Sequence, residues 1–566
     1  MKKIYIVIAI VLLILHILAG FNTIENMSPT YDEPVYPPEG YAIWRLGNYS
    51  FNTYHPPLAK LLVALPLVFL KPMLLTGHPY WINRDEFPFA DLFLYHNRIS
   101  AERILNSGRV MVLVVSCMLA LLVYIWSSKL FGALTGIISM FFYCFSSNCL
   151  AHGTLATTDM LLTFTFILSL YFFWLWFNKP NQINSVLCGI STALTVCSKF
   201  SGYILFPTYF LIFLFEYKNL KTKVTLVDFI KNICMFVFSF VFTVLVIYKF
   251  TEINTHFDGL RYLLTKDMKR GRSSFFFGKY STTGWREYFL ALFALKTPVS
   301  FLVLLFLSFF FLKKYENSNF SFLIVPALFF LLVSSFSKIQ IGLRHILPVY
   351  PLVFIWVGNF VKYILKSFKY AGRLFMILVM FFYFFSFSRV HPYHISYFNE
   401  IIGGPENGYK YFTDSNIDWG QGLKALGDWL KEIPEKGIYF CYFGTGDPSY
   451  YGIKYVPIGF INNLYPQQRQ SDKIEFKPED RILFAISITN LQATYYADKK
   501  IFEWLRKLKP IKTLAYSIFV YDLTNNPSAL EKLAEIFLSV GNEEQAKFLF
   551  ARSKKGKWKE YLHPGE

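Results

Sequence analysis

Charged side chains are scarce in this sequence of 566 residues: Asp, Glu, Lys and Arg together make up 16% of it. Soluble proteins carry about 25% charged residues, so this scarcity argues against a soluble multidomain protein and against a disordered chain. Hydrophobic residues make up 54% and aromatic residues 20%, with 63 Phe and 38 Tyr. The composition predicts a polytopic membrane protein.

Cysteine and acidic residues are also limited. The seven cysteines include no Cys-x-x-Cys pair, and six of them lie in apolar segments, so a disulfide framework or a cysteine metal site is not predicted. The 37 acidic residues are outnumbered by 56 basic ones, which gives a net charge of +19. In a soluble protein such a charge suits nucleic acid, but in a membrane protein it suits an anionic leaflet or a bound phosphate. Nucleic acid is therefore not an expected partner.

The apolar residues are concentrated in long segments that predict about eleven transmembrane helices. A span takes roughly 20 apolar residues. The first segment has Lys2 and Lys3 ahead of its apolar run and lacks a good cleavage site, which predicts an uncleaved helix that starts in the cytoplasm. The predicted spans are residues 1–20, 109–126, 131–149, 159–177, 185–198, 201–216, 231–249, 287–312, 320–337, 345–361 and 372–388.

This topology leaves Lys and Arg in the short cytoplasmic loops, as the positive-inside bias requires. It places loop 21–108, turn 150–158, loop 250–286 and everything after about residue 389 outside the cytoplasm. We therefore predict three parts in the chain. They are a transmembrane module at 1–390, an extracytoplasmic α/β domain at 391–525 and a helical pair at 526–566.

The predicted α/β domain rests on short apolar runs between amphipathic helices. The runs 437–443, 481–486 and 514–521 are typical of buried strands, and 420–432 and 500–508 of helices. A further helix pair, about 528–539 and 542–553 with a turn at Gly541, resembles one tetratricopeptide unit. One unit is too few for a solenoid, which favours a packing appendage.

Two adjacent carboxylates, Asp32 and Glu33, follow the first span. Adjacent acids in a loop are ordinarily solvated charges. The alternative is a catalytic pair near the bilayer surface, where desolvation raises the pKa of a carboxylate and lets it act as a general base. Further along this loop, His55-Pro56-Pro57 predicts an extended segment before an apolar helix at 58–70 that rests on or dips into the interface.

A third acid, Asp159, begins the fourth span, after Ala151-His152-Gly153 and Thr157-Thr158. One interpretation is that Thr157, Thr158 or Asp159 caps the helix. The other interpretation is functional, because the predicted topology places this turn at the same depth in the membrane as the Asp32 loop. Asp159 would then join Asp32 and Glu33 as a catalytic candidate.

Basic residues gather on the same face of the membrane, against the charge bias. Loop 250–286 contains seven Lys and Arg residues, including Arg270 and Arg272. Lys199 lies between the fifth and sixth spans, and Arg344 lies at the start of the tenth. A long loop can cross whatever its charge, so an ordinary soluble loop remains open. Otherwise these side chains hold an anionic lipid phosphate, with Arg as a fork and Lys as a point charge.

Four motifs, in register with the spans over about residues 1–390, resemble those of the dolichyl-phosphate-mannose protein mannosyltransferases and their bacterial relatives. These are polytopic GT-C-type glycosyltransferases of family 39. The segments 399–405 and 414–421 look like the tail of bacterial members. The four motifs are Asp32-Glu33, His55-Pro56-Pro57-Leu58-Ala59-Lys60, the turn from Ala151-His152-Gly153 to Asp159, and Ser198-Lys199-Phe200-Ser201-Gly202.

The resemblance implies a sugar donor carried on polyprenyl phosphate and an acceptor outside the cytoplasm. It also implies Asp32 as the base, Glu33 beside it in positioning the acceptor or the base, and Lys199 on the lipid phosphate. A phosphate leaving group, cations and one carboxylate predict an inverting single displacement, and the expected location is the bacterial inner (plasma) membrane. The candidates for substrate binding on the transmembrane module are His55, Lys60, His152, Lys199, Arg270, Arg272 and Arg344.

The sequence departs from eukaryotic members at several places. It has Val35-Tyr36 where they carry a His, Thr53-Tyr54 where they carry an acid, and a loop of about 35 residues where they carry a large insertion. The acceptor is therefore left open among a protein, a lipid and a glycan. The alternative function is a transporter or flippase for a polyprenyl-linked glycan precursor, although the sequence shows no internal repeat of the kind common in transporters.

The segment 414–421 has two interpretations. It is either a loop capped ahead of helix 420–432 or an acceptor-binding segment, since Asp, Asn, Trp and Gln hydrogen-bond and stack on sugars. The acceptor-binding candidates are Asp414, Asn416, Asp418, Trp419 and Gln421.

No cofactor is predicted, although a divalent metal stays possible. Relatives that move an aminosugar onto lipid bind a metal near this site, and His55, His152 and His256 are possible ligands. No His-x-His or His-Glu-x-x-His spacing supports them.

Overall fold

The computed structural model describes residues 2–221, 224–315, 319–435, 437–458, 474 and 476–553. They form two compact units. The first contains the chain up to Glu25, Asp32–Arg272 and Ser281–Gly404. The second contains Asn26–Tyr31, Ser273–Tyr280 and the chain from Pro405 onward. The main division thus lies after Gly404, whereas the sequence predicted it near residue 390.

The first unit is built from long apolar helices. Seven described helices are long and apolar enough to cross a membrane, and many carry outward-facing apolar side chains such as Ile14, Phe238 and Phe381. The polytopic helical fold predicted from the composition is confirmed. The seven helices are Lys3–Asn26, Ala101–Phe131, Asp159–Asn178, Phe200–Lys218, Leu226–Ile247, Val349–Ser367 and Lys369–Val390.

Two further spans are bent. Ala133–Cys144 and Ser147–Gly153 meet at 66°, and Tyr288–Leu295 and Val299–Phe310 meet at 116°. The second bend falls at Pro298, whose missing N–H prevents a continuous helix. Counting each pair once gives up to nine spans among the described residues, and Gln182–Ser198 and Phe320–Ser335 are shorter apolar helices. Each of the eleven predicted segments therefore corresponds to a helix or a bent pair.

The loop after the first span folds into short helices. The predicted helix 58–70 is divided at Pro66 into Pro57–Ala64 and Leu67–Leu70. Tyr36–Leu46 packs closely on Pro57–Ala64, because a Cβ atom on Gly40 would lie 1.9 Å from the carbonyl oxygen of Lys60. The other short helices of the loop are Glu33–Val35 (3₁₀), Pro79–Ile82 and Glu86–Tyr95.

Short helices also connect the later spans. Residues 391–404 remain with the first unit because Asn399 donates to the carbonyls of Ala294 (2.7 Å) and Thr297 (2.8 Å). The connecting helices are Ile253–Tyr262, Leu263–Asp267 (π), Met268–Arg270, and the 3₁₀ turns Phe200–Ile204, Leu312–Lys314, Leu343–Ile346, His394–Ser396 and Glu400–Ile402.

A five-stranded mixed sheet forms the centre of the second unit. A separate hairpin of β1 (Ser274–Phe276) and β2 (Lys279–Ser281) precedes it in the chain. The strands of the sheet are β3 (Ile438–Cys441), β4 (Tyr455–Pro457), β5 (Leu483–Ser487), β6 (Lys512–Leu514) and β7 (Ile518–Asp522). Their order is β4-β3-β5-β7-β6, with β3 parallel to β4 and β5, and β7 antiparallel to β5 and β6. The C-terminal α/β fold predicted from the sequence is confirmed.

The prediction of a single strand over 514–521 is wrong in one respect, because this segment contains the turn of a hairpin between β6 and β7. Ala515 and Tyr516 have positive φ angles of 50° and 54°, and the Ser517 N–H donates to the Leu514 carbonyl at 2.9 Å. The predicted helix pair is present as Pro527–Ser539 and Glu543–Arg552. The other helices of this unit are Pro405–Lys410 (3₁₀), Asp414–Asn416 (3₁₀), Leu423–Lys431, Ser449–Tyr451 (3₁₀), Ile488–Leu491 and Glu503–Arg506.

Candidate active site

Four of the predicted charged residues form one connected cluster in the first unit. Arg344 Nη1 donates to Asp32 Oδ2 at 2.8 Å and lies 3.8 Å from Asp159 Oδ2. The other oxygen of Asp159 accepts from Lys199 Nζ at 2.6 Å. Two carboxylates and two cations therefore alternate through adjacent contacts. We call Asp32, Asp159, Lys199 and Arg344 the charged cluster.

The ends of apolar helices position this cluster. Asp32 directly precedes the 3₁₀ turn Glu33–Val35, and Asp159 is the first residue of its span. Lys199 has an extended backbone conformation between helices Gln182–Ser198 and Phe200–Ile204. Arg344 lies in the 3₁₀ turn ahead of helix Val349–Ser367. Helix ends leave backbone groups unpaired and lie near the membrane surface, so a charge costs less there than at mid-span.

The two carboxylates of the cluster differ in solvent exposure. The side chain of Asp32 is 26% exposed, whereas that of Asp159 is fully buried. Lys199 and Arg344 are about one tenth exposed. Asp32 is thus the more exposed carboxylate of the cluster, whereas Asp159 contacts both cations.

Glu33 points away from this cluster. Its two oxygens accept from Arg109 Nε at 2.8 Å and Nη2 at 2.6 Å, and one of them also accepts the Ala156 N–H at 2.8 Å. Both charged side chains are fully buried. Bidentate pairing of this kind fixes a carboxylate firmly and leaves it poorly placed to take a proton from a substrate. These contacts favour a positioning role over the catalytic role predicted for Glu33.

Lys60 belongs to a neighbouring buried ion pair. Its Nζ lies 3.0 Å from Glu39 Oε2 and donates to the Asn52 carbonyl at 2.8 Å, while the Asn52 amide donates to Glu39 at 2.8 Å. Burial raises the pKa of the Glu39 carboxyl, and the Lys60 ammonium opposes that rise. Glu86, half-buried nearby, has its pKa raised to about 8, chiefly by burial and then by the charge of Glu39.

Three histidines surround the charged cluster. Burial, followed by the charges of Lys199 and Lys60, lowers the pKa of His55 to about 3, so its ring is neutral at physiological pH. His55 and Lys60 line one small pocket together with Asn52 and Thr53. His152 is buried, and the electrostatic partners of His345 include Lys199 and Arg344. A neutral imidazole can donate one hydrogen bond to a phosphate but adds no charge.

The predicted loop cations lie elsewhere. Arg270 and Arg272 are exposed, and Arg272 pairs with Asp267 at 3.0 Å. The structure therefore gathers Lys199 and Arg344 into the cluster and leaves the two loop arginines on the surface of the first unit.

The predicted acceptor-binding residues lie inside the second unit. Asp414, Asn416, Asp418, Trp419 and Gln421 are all buried. Gln421 bonds to the backbone at residues 417 and 419, Asn416 bonds to the Thr413 carbonyl, and Asp418 accepts the Thr489 N–H at 2.9 Å. Burial raises the pKa of Asp418 to about 7. These contacts favour the structural interpretation of the segment over direct binding of an acceptor.

The possible metal ligands do not converge. Both ring nitrogens of His256 are engaged by tyrosine hydroxyls, of Tyr203 at 2.7 Å and Tyr248 at 2.8 Å. Across the described parts of the chain, no three His, Cys, Asp or Glu side chains are grouped so as to hold a metal ion. The residues present do not fit the metal site considered from sequence.

Sequence reasoning missed Arg109, Glu39, Glu86 and His345. Arg109 had a usable signal: it is a charged residue at the start of an apolar span, and such a residue nearly always has a buried partner. The partner itself, Glu33, lies 76 positions earlier, and no local pattern connects the two.

Comparison with known proteins agrees with the motifs. Residues 99–269, under one third of the chain, match the family described as dolichyl-phosphate-mannose-protein mannosyltransferase. The match confirms the predicted resemblance over a segment that contains Arg109 and two members of the charged cluster, Asp159 and Lys199. No curated protein matches this chain.

Three solved structures illustrate its similarity to known folds. ArnT from Cupriavidus metallidurans in the apo state has 11% identity, a TM-score of 0.48, and coverage of 91% of this chain and 97% of that one. The same protein bound to undecaprenyl phosphate has 9% identity, a TM-score of 0.46, and coverage of 91% and 98%. The archaeal oligosaccharyltransferase AglB from Archaeoglobus fulgidus, in complex with an inhibitory peptide and a dolichol-phosphate, has 12% identity, a TM-score of 0.47, and coverage of 88% and 71%.

Proposed function

We propose that this protein is a glycosyltransferase that moves a sugar from a polyprenyl-phosphate donor to a hydroxyl group on an extracytoplasmic protein, lipid or glycan. The observation that carries the proposal is the bridge from Arg344 to both Asp32 and Asp159, with Lys199 on the far oxygen of Asp159. It places an accessible carboxylate beside two cations in a multi-pass membrane protein. A base and an anion-binding group are the two components that such a transfer requires.

The chemistry assigns a distinct task to each group. Asp32 accepts the proton of the acceptor hydroxyl as its oxygen attacks the anomeric carbon of the donor. The bond between that carbon and the phosphate oxygen breaks, and its electron pair leaves on the phosphate as polyprenyl phosphate. Arg344 and Lys199 stabilise the developing negative charge. One displacement of this kind inverts the anomeric configuration.

The charges also support an orientation. With the first helix starting in the cytoplasm, the basic short loops face the cytoplasm, and the cluster lies on the opposite side. We place the protein in the bacterial inner membrane, with its C-terminal domain outside the cytoplasm. The lipid bilayer then supplies the donor laterally, while the acceptor arrives from the extracytoplasmic side.

The test is transfer of a radiolabelled sugar from polyprenyl phosphate by the purified, lipid-reconstituted protein. Asp32→Asn keeps the size of the side chain and removes the base, so transfer should fall by about 10²- to 10⁴-fold. Asp85→Asn is the matched control, because Asp85 is an exposed acid in the same loop. Equal transfer by Asp32→Asn and the wild type, with normal membrane insertion, would remove Asp32 from the mechanism.

A further inference from the structure

The segment Asn26–Tyr31, here called the strap, connects the first span to Asp32 and yet folds as part of the second unit. Met27, Ser28 and Thr30 are buried, with exposures of 4%, 0% and 0%. A linker between a membrane helix and a loop is ordinarily exposed and poor in contacts. Burial of this strap means that the second unit holds it in a defined conformation.

The first group of contacts is with the loop ahead of helix Leu423–Lys431. The Tyr31 N–H donates to the Trp419 carbonyl at 2.8 Å, and the Ser28 hydroxyl donates to the Gly420 carbonyl at 3.0 Å. The same hydroxyl accepts the Leu423 N–H at 2.9 Å. Ser28 therefore bonds to both a carbonyl and an N–H of this loop through one buried hydroxyl.

The second group of contacts comes from the loop that follows β3. The Thr445 hydroxyl donates to the Tyr31 carbonyl at 2.8 Å. The Tyr31 ring stacks on Phe443 with centroids 5.4 Å apart, and Phe443 stacks in turn on Tyr495 at 5.5 Å. This loop leaves the carboxyl end of a parallel strand, the place where open α/β sheets bind their ligands. Here that place is occupied by the strap.

The segment 414–421 makes this arrangement rigid. Gln421 accepts the Trp419 N–H at 2.7 Å and donates to the Ile417 carbonyl at 2.8 Å, which closes the loop on itself. Gly420 adopts φ +94°, and a Cβ atom there would lie 2.8 Å from the Tyr442 hydroxyl. That hydroxyl also donates to the Gly420 carbonyl at 2.7 Å. The segment 414–421 therefore fixes the conformation of the surface on which the strap lies.

We infer that the hydrogen bonds on the strap position Asp32 for the transfer reaction through the peptide bond that joins it to Tyr31, with Ser28 and Thr445 as positioning residues. The inference rests on the proposed function, in which Asp32 is the base. Asp32 follows Tyr31 directly in the chain, so the hydrogen bonds on both sides of Tyr31 restrict where the Asp32 carboxylate can lie. Proton transfer and attack are sensitive to errors of about 1 Å in such placement.

The experiment compares Thr445→Val, Thr445→Ser and Thr524→Val in the full-length, lipid-reconstituted protein. Valine keeps the shape of threonine and removes the hydroxyl that holds Tyr31, whereas serine keeps that hydroxyl. Thr524 is the control, because its hydroxyl bonds to Ile482 and Asp522 in the same unit and away from the strap. Amide hydrogen exchange over 26–31 is measured alongside kcat and the donor KM.

For Thr445→Val we expect kcat to fall by about tenfold with the donor KM unchanged, because Lys199 and Arg344 are untouched. Exchange over the strap should rise in the same variant. Thr445→Ser should restore both readouts, and Thr524→Val should leave both as in the wild type.

The inference is overturned if the strap exchanges freely in the wild type. It is also overturned if Thr445→Val speeds exchange without lowering kcat, or lowers kcat no more than Thr524→Val does. Failure of the proposed function has a different signature, in which the wild type transfers no sugar or Asp32→Asn transfers it normally. In that case the inference falls with the function, whatever Thr445→Val does.

Discussion

At the scale of single residues, the adjacent acids Asp32 and Glu33 have different surroundings. Asp32 faces Arg344 and is partly exposed, whereas Glu33 is enclosed by Arg109 and the Ala156 N–H. The sequence predicts both as candidate catalytic acids because their local pattern is the same. The local pattern alone cannot separate them, and only the family resemblance assigns them different roles, since the arginines that distinguish their surroundings lie 312 and 76 positions away.

A second residue, Glu86, gives a pH-dependent prediction. Its pKa is raised to about 8 by burial and by Glu39, against an ordinary value of 4.5. Between these values the folded protein binds a proton that the unfolded chain has released, so stability falls as the pH rises from about 4.5 to 8. Glu86→Gln cannot ionise and escapes that loss.

The advantage in Tm of Glu86→Gln over the wild type should therefore be larger at pH 8.5 than at pH 5. Thermal unfolding in one detergent at several pH values measures it. The exposed neighbour Asp85→Asn serves as the control and should show no such trend. A difference between Glu86→Gln and the wild type that is the same at every pH would contradict the raised pKa.

At the scale of secondary-structure elements, the pair of Glu33 and Arg109 joins three pieces of the first unit. It connects the turn Glu33–Val35 to helix Ala101–Phe131 and, through the Ala156 N–H, to the loop that leads to Asp159. Arg109 also donates to the Ile24 carbonyl at 3.3 Å. One buried pair thus fixes the backbone on which both carboxylates of the charged cluster are carried.

Arg109→Met should destabilise the protein by roughly 3–5 kcal/mol, because it removes the guanidinium that neutralises the buried Glu33 carboxylate. Glu33→Gln combined with Arg109→Met should lose less stability than the sum of the two single changes, since neither charge then remains alone. Thermal or denaturant unfolding of the four proteins in detergent gives the coupling energy. Strictly additive effects would show that the pair does not act as a unit.

The same scale shows what a local pattern can predict. Apolar length and helix-end charges were sufficient to predict eleven helical segments and to select Asp32, Asp159, Lys199 and Arg344. The hairpin within 514–521 was missed because a continuous apolar run conceals the turn at Ala515 and Tyr516, where neither glycine nor proline marks it.

At the scale of the whole molecule, the positive charge of the sequence lies in two kinds of place. Part of it lies in short loops between the helices, where the sequence predicts a cytoplasmic face, and part is paired with carboxylates in the charged cluster. The membership of the strap in the second unit could not be predicted, because its partners lie nearly 400 positions away. Long-range backbone pairing of this kind leaves no periodic signal in the sequence.

The proposed reaction breaks the bond between a sugar and a polyprenyl phosphate at the charged cluster. The most direct measurement uses liposomes that contain the protein and a donor labelled in both the sugar and the phosphate, with an acceptor extract outside. We predict that sugar appears on the acceptor in a one-to-one ratio with free polyprenyl phosphate. Sugar that crosses the bilayer while still attached to its phosphate would contradict the claim and establish a transporter.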